Sequence, residues 1–370
     1  MTFVLGREQG LDAGPAGRLG SYRALDGSAG APLHLDLDGP HAGLVVGKRG
    51  YGKSYTLGVL AEALARTSGV APVVLDPMGA FDGLATSVSD GESAVPAEVL
   101  TTPAVTPTTL DPRSWCSLVG LSPECGPGGL VWRAAQDANT VADMRANVRA
   151  TDAPRADQRA AVNHLSLADS WDVFDADGLS AAALATDRVT VLDVSGLDAA
   201  PMNAVLRGVA ETLYRARVET QVERLPWLLV DEAHAFFDGV ARPALDRILT
   251  RGRAPGVSLV LATQRPSAIP DVALSQSDLL IAHRLTAATD LAALDRARPT
   301  YLDGSLTDRM PANPGAALVV DDATETVHTA RIRQRVTPHG GENPRASAHP
   351  DYSASAADGS SRTASCENDS

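Results

Sequence analysis

Residues 43–65, GLVVGKRGYGKSYTLGVLAEALA, decide the fold. They open on a short apolar run, GLVVG, pass through a glycine-rich turn, and continue over 52–66 with Leu57, Leu60, Leu64 and Ala65 at helical spacing. This is a buried strand feeding a helix. Within it, Gly47, Gly52, Lys53 and Ser54 satisfy the pattern G-x-x-x-x-G-K-[ST]. Glycines there let backbone N–H groups turn inward around phosphate oxygens, and the helix start adds its positive dipole end. The candidate nucleotide-binding residues are therefore Gly47, Lys48, Arg49, Gly50, Tyr51, Gly52, Lys53, Ser54 and Tyr55. Lys53 reaches the β- and γ-phosphates, and Ser54 offers a hydroxyl to Mg2+.

Lys48 and Lys53 are the chain's only lysines; every other residue among its 32 Lys and Arg is arginine. A planar guanidinium substitutes poorly for a compact ammonium in a phosphate cradle, which accounts for Lys53. Lys48 occupies a position that the pattern leaves free. It is open between a phosphate-side role, a contact with a neighbouring subunit and a solvated turn residue.

Beyond this stretch, apolar runs recur: APVVLDP (71–77), RVTVLDVSG (188–196), PWLLVDEAH (226–234), VSLVLATQ (257–264), SDLLIAHRL (277–285) and GAALVV (315–320). Helical patterns over 202–219 and 242–250 lie between some of them. Strands alternating with helices predict an α/β fold with a mostly parallel central sheet covered on both faces. LHLDLD (33–38) predicts a strand ahead of the glycine-rich turn. Residues 91–113, with Pro96, Pro103, Pro107 and Pro112, read as loop or short edge strands. Residues 130–185 read as helical and alanine-rich, broken near Pro154. The organisation expected is a strand-containing segment over 1–40, a nucleotide-binding domain over 41–337 with a helical insertion at about 115–185, and a disordered tail over 338–370.

A phosphate loop alone fits kinases, GTPases and motors. WLLVDEAHAFF narrows the choice, because Asp231 and Glu232 fall at the C-terminal end of an apolar strand, where α/β sheets bind ligands. Asp231 is the second Mg2+-orienting candidate. Glu232 is the candidate general base that polarises an attacking water, which points to hydrolysis rather than transfer to a second substrate. His234 suits a structural or coupling role better than catalysis. VSLVLATQRPS should place its strand beside the acidic one, so Gln264 is open between a γ-phosphate sensor and a surface glutamine. Arg247, Arg251 and Arg253 in RILTRGRAPG form either a solvated face or a source of charge for an adjacent subunit's γ-phosphate. Arg251 and Arg253 are preferred, being read as loop residues that follow the helix.

The chain carries 45 acidic against 32 basic residues, a net charge of −13. That excludes a uniformly basic surface but leaves room for arginines inside a channel. Abundant Asp with almost no Lys fits adaptation to high salt or arginine-favouring codons, and the two can act together. Cys116, Cys125 and Cys366 form no Cys-x-x-Cys pair, so neither a disulfide framework nor a cysteine metal site is read. With no signal peptide and no apolar run near the ~18 residues that cross a bilayer, a cytoplasmic protein is expected.

The strings VVGKRGYGKSYTLGVLAEAL, VLDPMGAF, VTVLDVSGLD, LLVDEAHAFF and RGRAPGVSLVLATQRPSAIPDVALSQSDLLIAHRLT, in that order, resemble the HerA family of RecA-type ATPases, related to FtsK-like DNA translocases. The resemblance covers about residues 40–340 and includes RIRQRVTPHGG. It implies a RecA-like P-loop NTPase domain and a homo-hexameric ring that hydrolyses ATP with Mg2+ at its subunit interfaces. It also implies translocation or helicase-like work on double-stranded DNA. The roles given to Lys53, Ser54, Asp231, Glu232 and Gln264 agree with it, and Arg251 or Arg253 matches the region of its trans-acting arginine. Family members usually begin with a small β-barrel that meets a nuclease partner. Only about 40 residues precede the phosphate loop here, too few for that barrel, so the nuclease partner does not carry over with the resemblance.

Overall fold

The computed structural model describes residues 4–8, 13–24, 28–86, 95–302 and 304–339; the tail expected from 338 onward lies outside them except for its first two residues. The chain starts in β1 (Val4–Leu5), β2 (Ala16–Arg23) and β3 (Ala29–Asp36), then enters β4 (Ala42–Val46), α1 (Lys53–Ala65) and β5 (Val70–Asp76). β6 (Ala97–Leu100) leads into helices α2 (Pro112–Leu118), α3 (Gly126–Asp137), α4 (Val141–Ala150), α5 (Arg155–Asp169) and α6 (Ala181–Leu184). There follow β7 (Val189–Asp193), α7 (Ala199–Val218), β8 (Leu225–Val230), α8 (Arg242–Arg251), β9 (Ser258–Thr263), α9 (Asp271–Ser275), β10 (Leu279–Ala282) and α10 (Ala288–Arg296). The hairpin β11 (Ala316–Asp321) and β12 (Thr326–Ile332) completes the described elements.

All twelve strands join one sheet in the order β1-β3-β2-β12-β11-β10-β4-β9-β8-β5-β7-β6. From β10 to β6 every neighbouring pair is parallel. β11, β12, β2 and β3 extend it as an antiparallel wing, with β1 parallel to β3 at the rim. The central strands are buried on both faces, which is why they read as continuous apolar runs. Within them the side chains alternate. Leu44, Val46, Leu228, Val230, Leu259 and Leu261 pack on one face with α7, α8 and the helical insertion. Val45, Leu229, Val260 and Ala262 pack on the other with α1 and the wing.

The mostly parallel α/β sheet matches the sequence reading, and the stretch read as helical over 130–185 holds most of α3 and all of α4, α5 and α6, with the break at Pro154, which caps α5, and further breaks at 138–140 and 170–180. Two features differ from it. Three strands, not one, lie before residue 40, and β12 pairs with β2 to tie the N-terminal segment into the main sheet. β12 buries only Ala330 and Ile332 fully, so its alternation is too weak to announce a strand. The parallel order then brings the C-terminal ends of β4, β9 and β8 side by side at one sheet edge.

Candidate nucleotide site

The glycine-rich turn spans from the end of β4 to the start of α1. Gly52 caps α1 in the left-handed region, at φ +112, where a side chain would be strained. At Gly47 the constraint is close approach: a Cβ would meet the Cβ of His283 at 2.6 Å. Lys53 is 6% exposed, so its cation is held close to the loop rather than in bulk water.

The turn rests on the two residues that follow β10. Lys48 N–H donates to the Arg284 carbonyl at 2.8 Å, and His283 N–H donates to the Val46 carbonyl at 2.8 Å. The His283 ring is fully buried. Its Nδ1 lies 2.9 Å from the Ala316 carbonyl, which can only accept, so Nδ1 carries the proton. Its Nε2 therefore accepts from the Thr56 hydroxyl at 2.9 Å. Burial, helped by the Lys53 cation, lowers the imidazole pKa to about 4 and keeps the ring neutral. The sequence reading ran a strand through 285. The strand ends at Ala282, and beyond it the backbone of His283 and Arg284 pairs with Val46 and Lys48. Its only sequence signal was a histidine at the end of an apolar run.

Asp231 follows β8 and is fully buried. The Ser54 hydroxyl donates to its Oδ2 at 2.6 Å. Burial raises the pKa of this carboxyl, opposed by the Ser54 hydrogen bond and reinforced by the negative charge of Glu232. Such a carboxylate favours a nearby cation. Among the described residues no cluster of three or more His, Cys, Asp and Glu could hold a metal by itself. A Ser hydroxyl with one carboxylate suits Mg2+, a hard ion that keeps several waters and takes its remaining oxygens from substrate phosphates.

Glu232 stands in the left-handed region at φ 46, ψ 42, a conformation that costs a non-glycine residue about 1–3 kcal/mol. Its N–H donates to Asp231 Oδ1 at 2.9 Å. Gln264, just past β9, points its amide nitrogen at both carboxylate oxygens of Glu232, at 3.3 and 3.4 Å. The strands β8 and β9 are parallel neighbours, which is what brings these two side chains together. His234 joins the same cluster, with Nδ1 3.4 Å from Glu232 Oε2 and 3.2 Å from Thr263 Oγ1. Burial lowers its pKa, and Arg265 and Lys53 add to the effect.

Other candidates lie elsewhere. Arg49 and Gly50 are exposed at the tip of the turn. The Lys48 ammonium sits 4.5 Å over the Tyr51 ring, so this lysine stacks within its own turn. Tyr55 faces the segment after β12: its hydroxyl accepts from Arg335 N–H at 2.7 Å, and its ring meets His339 edge-on at 5.3 Å. Arg251 is the last residue of α8 rather than a loop residue, because the helix runs one residue beyond the predicted end; Arg253 lies in the turn. Both are exposed. They precede β9 whereas Gln264 follows it, and six strand residues span about 20 Å. Neither arginine can reach the phosphate loop of its own chain. Arg247 is engaged by Glu211 and lies over the Tyr214 ring.

Among known proteins, no family model and no curated protein matches the chain. Solved structures do. VirB4 of Thermoanaerobacter pseudethanolicus superposes with a TM-score of 0.66 at 18% identity, over 88% of this chain and 98% of that one. The bacterial conjugative coupling protein TrwB gives 0.54 at 14% identity, over 86% and 92%. The plasmid coupling protein TrwB in complex with the non-hydrolysable GTP analogue GDPNP gives 0.51 at 16% identity, over 80% and 87%. At these identities the likeness is one of fold. The chain has the P-loop α/β fold of VirB4 and TrwB.

Proposed function

We propose that this chain is a Mg2+-dependent ATP hydrolase, the motor subunit of a HerA-like hexameric ring that moves or unwinds double-stranded DNA. The observation that carries the hydrolase reading is the convergence, at the ends of three adjacent parallel strands, of Lys53, the Ser54–Asp231 pair and the Glu232–Gln264 pair.

The loop N–H groups and Lys53 bind and orient the β- and γ-phosphates. Ser54 and Asp231 would hold Mg2+, which when bound neutralises phosphate charge. Glu232 accepts a proton from the attacking water through its carboxylate. The Gln264 amide, which lies against Glu232, would turn a donor to a γ-phosphate and so report its presence to the base. Arg251 and Arg253 complete the charge stabilisation of a neighbouring subunit's site.

A conjugation- or secretion-type motor with the same chemistry is a second reading, favoured by the likeness to VirB4 and TrwB. Among the described residues no helix is long and apolar enough to cross a membrane. The test is ATP turnover with and without duplex DNA across a salt series. The DNA-motor reading predicts stimulation that fades as salt rises, because phosphate contacts release condensed counterions. Neither stimulation nor DNA retention at any salt would overturn it, leaving an ATP-dependent switch or assembly protein.

A further inference from the structure

The geometry points to His283 as a positioning residue for triphosphate binding: through Thr56 it sets the first turn of α1, and its ring is the surface on which the phosphate loop is folded. The inference rests on the reading of residues 47–54 as an ATP site.

The ring is enclosed by the loop it supports. Gly47 passes so close that any Cβ would collide with the Cβ of His283, and the ideal Cβ of Gly52 would lie 3.4 Å from the ring. The glycine at the first position of the motif is thus demanded from below by His283 as well as from above by phosphate. Arg284 adds a carbonyl for Lys48 N–H, so residues 283–284 hold the loop near both ends.

Thr56 explains why the ring must be a hydrogen-bond acceptor there. It is 1% exposed, and its N–H donates to the Gly52 carbonyl at 2.8 Å, an early hydrogen bond of α1. A threonine hydroxyl inside a helix turns back to the carbonyl four residues earlier, which bends the helix. Here that carbonyl is Gly52's, next to Lys53 and Ser54. Giving the hydroxyl to His283 Nε2 removes the competition and leaves the Gly52 carbonyl to the helix. On its other side Nδ1–H is anchored to Ala316 on β11. The imidazole therefore spans a fixed distance between β11 and α1, and the neutral ring has one donor and one acceptor for that purpose.

The test is equilibrium binding of a non-hydrolysable ATP analogue with Mg2+ to the full chain, alongside thermal unfolding of each variant. Thr56→Val exchanges the hydroxyl for a methyl group of similar size. His283→Asn keeps a donor near the Nδ1 position but no acceptor near Nε2, whereas His283→Gln restores an acceptor there. Thr56→Val and His283→Asn are expected to weaken binding about tenfold, the scale of one orphaned buried partner. His283→Gln, which keeps an acceptor for Thr56 but gives up the donor to Ala316, should bind more tightly than His283→Asn, and the Thr56→Val/His283→Asn double variant should lose little more than either single change, because both break one link. Thr56→Val is nearly isosteric, so it decides the matter even if the histidine variants fold poorly. Thr56→Val binding within about twofold of wild type, below the scale of that lost partner, would overturn the proposal. So would affinity losses that vanish once binding is corrected for the unfolded fraction. Failure of the wild-type chain to bind the analogue would instead refute the ATP site itself, and this inference with it.

Discussion

A chain that uses arginine almost everywhere keeps lysine at position 53, and the structure holds that side chain nearly buried at the start of α1. Charge alone does not explain the choice. Lys53→Arg should therefore lose at least about tenfold in ATP affinity although the charge is kept, because the planar fork does not fit a cradle built for a compact ammonium. Lys48→Arg, at a residue stacked on Tyr51, should change affinity far less. Titration of both variants with an ATP analogue separates the two lysines; equal losses would contradict this account. Lys53, Ser54, Asp231, Glu232 and Gln264 could be singled out in the sequence because each is a residue type that phosphate chemistry uses, placed after an apolar run, and the fold brings Ser54 to Asp231 and Gln264 to Glu232. His283 and Thr56 could not. They act through a contact between residues 227 positions apart, and no local pattern encodes such a contact.

At the scale of elements, two buried ionic clusters join parts of the fold that the sequence kept separate. Glu62 on α1 is fully buried and binds Arg333, along with the N–H groups of Val336 and Thr337 and the Thr337 hydroxyl. The segment after β12 is thereby clasped to the phosphate-loop helix. His41, just before β4, lies between Asp36 at the end of β3 and Asp278 just before β10, at 3.2 and 3.1 Å. Burial opposes its charge, but the hydrogen bonds its ring donates to both carboxylates, with their negative charge, outweigh it and raise its pKa to about 9. The ordinary histidine value is 6.5, so this stabilisation is present in full below pH 6.5 and is lost as pH rises through 9. The loss should be on the order of 3 kcal/mol. Thermal unfolding followed from pH 6.5 to 10 should show a falling limb that His41→Asn largely removes. A wild-type profile parallel to the variant's over that range would contradict the assignment. The parallel strands were readable because burial on both faces makes them uniformly apolar. Of the wing, β3 and β11 were readable as strands; β2 and β12 were not, since they mix polar and apolar residues and take their place by pairing with partners distant in sequence.

For the whole molecule, the sheet order puts the phosphate loop at the opposite end of the strands from Arg251, which ends α8, and Arg253 beyond it, so on the proposed reading these arginines would serve the site of a second copy of the chain. Mixing an Arg251→Ala/Arg253→Ala variant with Lys53→Ala, each inactive alone, should restore turnover, because each supplies what the other's site lacks. No recovery in stable mixed assemblies would contradict trans action. The class of fold was legible from the order of apolar runs, and the sheet edge that gathers the candidate residues followed from it. The central claim is that Glu232 activates water for attack on a bound ATP. Single-turnover hydrolysis of Mg-ATP by the wild-type chain and by Glu232→Gln tests it most directly. The account predicts near-equal ATP affinity and cleavage slowed by at least about a hundredfold in the variant; cleavage at the wild-type rate would contradict it.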